Sequence, residues 1–338
     1  MEMRLLHHYT ARTAKTLAAN TTTVTQETWQ ITVPSMAFES PCLMDAVLAV
    51  AALHLRVQDP NDQSLYRASH GYMASAISQY LSCLKDGVRA SNADALFTTS
   101  ALIAFQASAL RRFQEQDRKA GEGYALPTAW FHAFQGVKTV VLASWMWLRD
   151  SERVQPIIQA QPALALQFKS DKPRFFDFLL DELAEDLEAT EDGIREETRQ
   201  AYEHAVAYLN WAHPKPNRAR VLGFPATVSS RLVKLIDQHD PRALVIISCF
   251  FAMTKIVDDV WWLEGVAAYE VDGIRTLVPE KWGQKMEWPI RVVHHRGPMD
   301  DEVWGGPRTS SPTETTDDED GDLRTHIDIL ASLTPALD

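Results

Sequence analysis

An all-α fold is predicted, one large helical domain. Three observations predict it. Apolar residues recur at helical spacing along nearly all of the 338 residues. Glycine is scarce, at 14 residues, and no Asn-Gly or Asp-Gly pair stands between alternating strands. Ser40-Pro41 and Asp240-Pro241 read as helix starts, each a capping residue followed by proline at the first helical position.

The elements follow in order. Leu5, Tyr9, Thr13 and Leu17 open the chain at helical spacing. Thr21 to Val24 breaks that pattern, and Trp29 to Pro34 reads as an extended connector. A helix capped by Ser40 runs through Leu43, Val47, Val50 and Leu55 and stops before Asp59-Pro60. Ser64 to Leu84 is the next helix, with Tyr66, His70, Met73, Ile77 and Leu81 on its apolar face. Asn92 to Arg112 is a strong helix capped by Ser91 or Asn92. After a loop at 121–127, Thr128 caps a helix carrying Trp130, Phe131, Phe134, Trp145 and Trp147. Val154 to Lys172, interrupted by prolines, is weaker. Phe175 to Ala189 reads as an acidic amphipathic helix, and Glu191 to Trp211 as a longer one. Pro214 to Pro225 is a loop, and Val228 to His239 a helix. Asp240-Pro241 opens the most apolar helix, which continues to Lys255, and Trp261 to Leu277 is helical up to Pro279.

Composition narrows the function classes. Hydrophobic residues make up 46% and charged residues 23%, enough apolar material for a sizeable core. The net charge of -12 argues against direct nucleic-acid binding by this chain alone, because phosphate neutralisation needs clustered Lys and Arg. Cys42, Cys83 and Cys249 are too few and too far apart for a zinc cluster or a disulfide framework. No metal site and no cofactor are expected; HExxH, GxSxG, the P-loop and GxGxxG are all missing. The N-terminus lacks the apolar run of a signal peptide. Ala243 to Met253 is about half the roughly 20 residues that span a bilayer, so it reads as a buried core helix and no membrane span is expected. The expected location is intracellular, nuclear or cytoplasmic.

Several side-chain groups stand out. Trp130, Phe131, Phe134, Trp145, Phe250, Phe251, Trp261 and Trp262 lie on helices that the pattern buries. They read either as core packing or as the wall of an apolar pocket, where indole faces suit flat polycyclic or isoprenoid molecules. Asp258 and Asp259 read as a helix-joining turn with Asp259 capping the next helix, or as an acid-base pair. Asp177, Asp181 and Glu185 would share one helix face, a solvated one. His54 and His70 sit on apolar faces as core histidines, while His7-His8 and His294-His295 are local pairs.

The residues that carry a family resemblance begin with Leu5-Leu6-His7-His8-Tyr9, Trp29-Gln30 and Val33-Pro34, followed by Tyr66, Ala68 and His70. Late in the chain come Asp240-Pro241-Arg242-Ala243-Leu244, Trp261-Trp262-Leu263-Glu264-Gly265, Trp282 and Glu287-Trp288-Pro289. Together they resemble the ligand-sensing regulatory domain of fungal sterol-uptake regulators and related Zn2Cys6 transcription factors, over residues 1–292. The resemblance implies an all-α bundle with a deep apolar pocket. It also implies a hydrophobic ligand of the sterol or terpenoid class and a homodimer or regulator partner. A tie to specialised-metabolite gene clusters is implied as well. A six-cysteine zinc cluster and a basic linker precede the domain in that family, and three cysteines cannot build one. Two readings therefore stand. One is a regulator without its DNA-binding module. The alternative is a biosynthetic enzyme, a cyclase or isomerase, with Asp258, Asp259 or Glu264 as acid or base toward a lipophilic isoprenoid in the pocket.

The expected domain covers 1–298. Residues 299–322 are low in hydrophobicity and rich in Asp, Ser, Thr and Pro, and read as a disordered acidic linker. Residues 323–338, with Leu323, Ile327, Leu330 and Leu333 at helical spacing, form a short amphipathic tail of the kind that docks in a partner's groove.

Overall fold

A computed structural model describes residues 1–19, 22–118, 122–162, 164–168, 172–188 and 190–308. The described residues are all-α, with no strand among them. Where the sequence analysis expected one domain, they divide into two compact units. The first holds Met1–Arg118, His132–Gln161 and the four residues Val260–Leu263; the second holds the remainder.

The first unit is built around the helix Pro41–Arg56, which packs on Gln63–Lys85, Ala93–Ala109 and Glu2–His8. Leu43, Ala46, Val47, Ala49, Val50 and Ala52 are buried on all its sides, which is why its apolar residues show no single stripe. Pro41 opens it as expected. Ser40 occupies the cap position but makes no capping bond; its Oγ lies 3.3 Å from Cys42 Sγ. The strongest correction concerns Gln63–Lys85. Its buried face is Leu65, Ser69, Met73, Ala76 and Tyr80; of the expected face only Met73 is buried, while Tyr66, His70, Ile77 and Leu81 are not. Small residues at 69 and 76 let this helix approach the alanine-rich helix closely, and close approach outweighs the larger side chains left outside. Ala93–Ala109 continues helically to Asp117, a run long and apolar enough to cross a bilayer by length and composition. Most of it is buried here as a core element of the unit.

Arg56 closes one end of the unit. Its buried guanidinium grips both carboxylate oxygens of Asp117, one at 2.8 Å, and lies over the rings of Phe113 and Tyr66. The expected connector at Trp29 to Pro34 is helical instead. Thr28–Thr32 is π-helical and leads directly into Val33–Ala37, so Pro34 stands inside a continuous helical run, just after the π segment.

The second unit centres on Pro241–Thr254, in which every residue from Arg242 onward is buried. Asp240 caps it by accepting from Ala243 N at 2.9 Å, and also accepts from Tyr202 Oη at 2.7 Å. Around it pack Asp192–Ala212, Ser230–Asp237, Val266–Arg275 and Glu287–His294. Two expected helices are shorter than read. Trp261 to Glu264 is a turn, because Gly265 in the left-handed region (φ 78°) starts the helix only at Val266. Asp259 therefore does not cap it. The acidic stretch 175–189 breaks into a 3-10 turn Asp177–Leu180 and a short helix Leu183–Asp186, with Glu182 at φ 60° between them. Asp177, Asp181 and Glu185 thus share no helix face. The expected loop at 214–225 instead holds the short helices Arg218–Leu222 and Phe224–Thr227.

The expected linker also begins too early. Residues 301–304 form a helical turn capped by Asp300, and Trp304 is completely buried in this unit. Its carbonyl accepts from Trp288 Nε1 at 2.8 Å, and its own Nε1 donates to His213 O at 3.0 Å. His213 is sandwiched between Phe175 and Trp304, with ring planes 4° and 6° from parallel. The rest of the expected linker from residue 309, and the tail 323–338, lie outside the described residues.

Candidate functional site

The first residues of the chain carry an unusual backbone. Leu5, Tyr9, Thr13 and Leu17 are all buried, at a strict spacing of four. An α-helix turns once per 3.6 residues, so a four-residue repeat drifts around its surface. The π-helical segment Tyr9–Thr13 between Glu2–His8 and Ala14–Leu17 takes up that drift. One face then stays inward. The adjoining face carries His8, Arg12 and Lys15.

His54, near the end of Pro41–Arg56, meets this face. Thr13 Oγ1 lies 2.9 Å from His54 Nδ1. The His8 ring stands edge-on to His54 at 4.8 Å, and Trp261 stacks flat on His54 at 4.5 Å. Trp261 is held by its own bonds. Its Nε1 donates to Thr16 Oγ1 at 3.0 Å, its carbonyl accepts from Arg112, and Trp262 Nε1 donates to Thr16 O at 3.2 Å. All of these residues belong to the first unit.

Between them lies a cavity of about 550 Å³, lined by His8, Ala11, Arg12, Lys15, Thr16, His54 and Gln58. That is the size of a small-molecule site. His8 is buried, and its Nε2 has no hydrogen-bond partner among the described residues. Burial lowers both imidazoles below the ordinary histidine range, His54 to about 3, and basic neighbours add to the effect. Both rings are neutral near pH 7. The cavity offers imidazole nitrogens, a hydroxyl, a carboxamide and two cationic side chains, a set suited to binding and orienting a polar group. Among the described residues no cluster of His, Cys, Asp and Glu could hold a metal.

The sequence-derived candidates fall in different places. Trp130, Phe131, Phe250 and Phe251 are fully buried in the second unit, where they pack edge to face with one another and with Phe224. Phe134 and Trp145 are half-buried in the first unit, Trp145 against its core. Trp261 borders the cavity through His54, and Trp262 stands edge-on to Phe105. Asp258 pairs with Lys255 at 3.1 Å, and Asp259 takes two bonds from Arg218 at 2.9 and 3.0 Å. Glu264 is exposed. Arg12, Lys15, Thr16 and Gln58 escaped the sequence reading. The spacing of His8, Arg12 and Lys15 (four, then three) was the available signal, since it places them on one helix face.

A helical domain with a small-molecule-sized cavity lined by His8, Arg12, Lys15 and His54 has the features of a binding domain. Comparison with known proteins gives that class its family. Residues 4–112 match the fungal specific transcription factor domain. The chain is 44% identical to a Zn(2)-C6 fungal-type transcription factor of Gibberella zeae, over 98% of this chain and 70% of the relative. It is 30% identical to the Zn(2)-C6 fungal-type transcription factor afumD of Aspergillus fumigatus, over 72% of this chain and 65% of that protein. Sterol uptake control protein 2 of Candida albicans is 24% identical over 79% of this chain, which spans 39% of that relative's length. The protein belongs to the family of Zn(2)-C6 fungal-type transcription factors.

Proposed function

We propose that this chain is the regulatory portion of a fungal transcription factor, and that its output changes when a small molecule fills the cavity at His8, Arg12 and His54. The observation that supports this most is the placement of the cavity. Every residue lining it lies within the stretch matched by the family's domain, and one of them, His54, is stacked by Trp261 from late in the chain. Filling such a cavity would bear on the His54–Trp261 stack and so link two distant parts of the sequence.

The ligand class carried over from the resemblance is a hydrophobic molecule of the sterol or terpenoid kind. The names of two relatives, both sterol uptake control proteins, support it. Work in the nucleus, a homodimer or regulator partner, and service to a specialised-metabolite gene cluster belong to the same reading. The alternative of acid-base catalysis by Asp258, Asp259 or Glu264 has less behind it, since two of the three carboxylates are engaged in ion pairs.

The test is a fusion of the chain to a foreign DNA-binding domain, driving a reporter in yeast. Output should vary with sterol or isoprenoid supply. Ala11→Trp, which fills the cavity from its wall, should hold output constant. A filled variant that responds like the parent would remove the cavity from the regulatory mechanism.

A further inference from the structure

The chemistry of the cavity specifies its ligand more closely than the resemblance does. The chain as a whole is acidic, with 45 Asp and Glu against 33 Lys and Arg. Yet among the described residues no carboxylate lines this cavity. Arg12 and Lys15 stand exposed at its rim, and neither forms an ion pair among the described residues. The charged and titratable groups that act on His8 are Arg12, Arg4 and His7; those that act on His54 are His8, Arg112 and Arg12. All are basic. An electropositive pocket without a counter-charge, in an otherwise acidic protein, is built for an anion.

The buried edge gives an independent indication. His8 is 9% exposed, and its Nε2 has no hydrogen-bond partner among the described residues although the residue lines the cavity. A buried polar atom left without a partner is costly, so a bound group that supplies one is favoured. Beside it, Ala11 and the aliphatic stems of Arg12 and Lys15 offer hydrocarbon surface.

We infer that this cavity binds the carboxylate of an amphipathic organic acid. One carboxylate oxygen meets the Arg12 and Lys15 cations, the other accepts from His8 Nε2–H, and the apolar body lies along Ala11 and the two aliphatic stems. The inference rests on the proposed small-molecule role of this cavity and narrows its ligand from a neutral lipid to an acid.

The experiment titrates the full chain with farnesoic acid and with farnesol, which share one apolar body and differ in the carboxylate. Binding is read by calorimetry and by fluorescence of the tryptophans, Trp261 among them. The acid should bind at least about tenfold more tightly than the alcohol, the weight of one charge-assisted hydrogen bond. The preference should shrink as salt rises. The double variant Arg12→Gln with Lys15→Gln alters only exposed side chains, so it should fold normally. It should abolish the acid's preference, so that acid and alcohol bind this variant alike. Equal affinities in the parent chain would overturn the anion inference while leaving the cavity a small-molecule site. A preference for the acid that survives the double variant would move the anion to another place on the protein. Binding of neither probe at millimolar concentration would overturn this inference together with the proposed role of the cavity.

Discussion

Trp261 lies flat on His54, with ring planes 7° apart and centroids 4.5 Å apart, and its indole nitrogen is tied to Thr16. Three segments remote in sequence therefore meet at one imidazole. The stack holds His54 in place beside the cavity, and it explains why a short turn at 260–263 belongs to the first unit. A side chain stacked on one face and hydrogen-bonded at Nδ1 has little freedom. Whatever enters the cavity meets a preset wall.

Arg56 should prove the most sensitive charged position in the first unit. It is buried, paired with Asp117 and covered by two aromatic rings. Arg56→Ala removes the cation and leaves the Asp117 carboxylate without it, a change that costs about 3–5 kcal/mol for a buried pair. Arg56→Lys should recover only part of that, because an ammonium cannot reproduce the two-pronged grip. The shift in urea midpoint measures both variants; an Arg56→Ala midpoint equal to the parent's would refute the pairing as a stabilising contact.

Acid should destabilise the protein through His213. Burial between Phe175 and Trp304 lowers its pKa from 6.5 to about 4. The unfolded chain therefore takes up a proton between those values while the native protein does not. Stability is full above the unfolded pKa and falls as pH drops from 6.5 toward 4, by roughly 1.4 kcal/mol per pH unit for this one group. Melting temperatures across that range should decline, and less steeply in His213→Gln. An unchanged slope in the variant would assign the acid sensitivity to other histidines, such as His54.

Removal of the buried indole at 304 should damage the second unit. Trp304 is fully buried, stacks on His213 and makes hydrogen bonds at its carbonyl and its indole nitrogen. Trp304→Ala should cost about 3–5 kcal/mol. A chain cut after residue 298 should likewise melt well below one cut after Arg308. Two truncations with the same melting temperature would show that the clasp contributes nothing.

The adjacent carboxylates at 258 and 259 should behave as surface groups. Each pairs with a basic side chain, and Asp259 is largely exposed. Asp258→Asn and Asp259→Asn should each leave stability within about 1 kcal/mol of the parent. They should also leave reporter output of the fused chain unchanged. A loss of output with the fold intact would return this pair to the functional site.

Start signals and apolar runs identified the helices at 41–56 and 241–254, and helical spacing the one at 192–212 and the all-α class, because these are properties of one segment and its solvent. Capping followed the same logic at Asp240, where a short polar side chain is placed to accept a free amide. Packing decided the rest. On Gln63–Lys85 two stripes competed, and the neighbouring alanine-rich helix selected the one with small residues. Gly265 and Glu182 in left-handed conformations cut two expected helices short, and Trp304 joined the core despite its acidic, glycine-rich flanks. The candidate site was the least legible part. His8, Arg12 and Lys15 share a face that the sequence implies. Their meeting with His54 and Trp261 depends on contacts between residues far apart in the chain, and no local spacing encodes those.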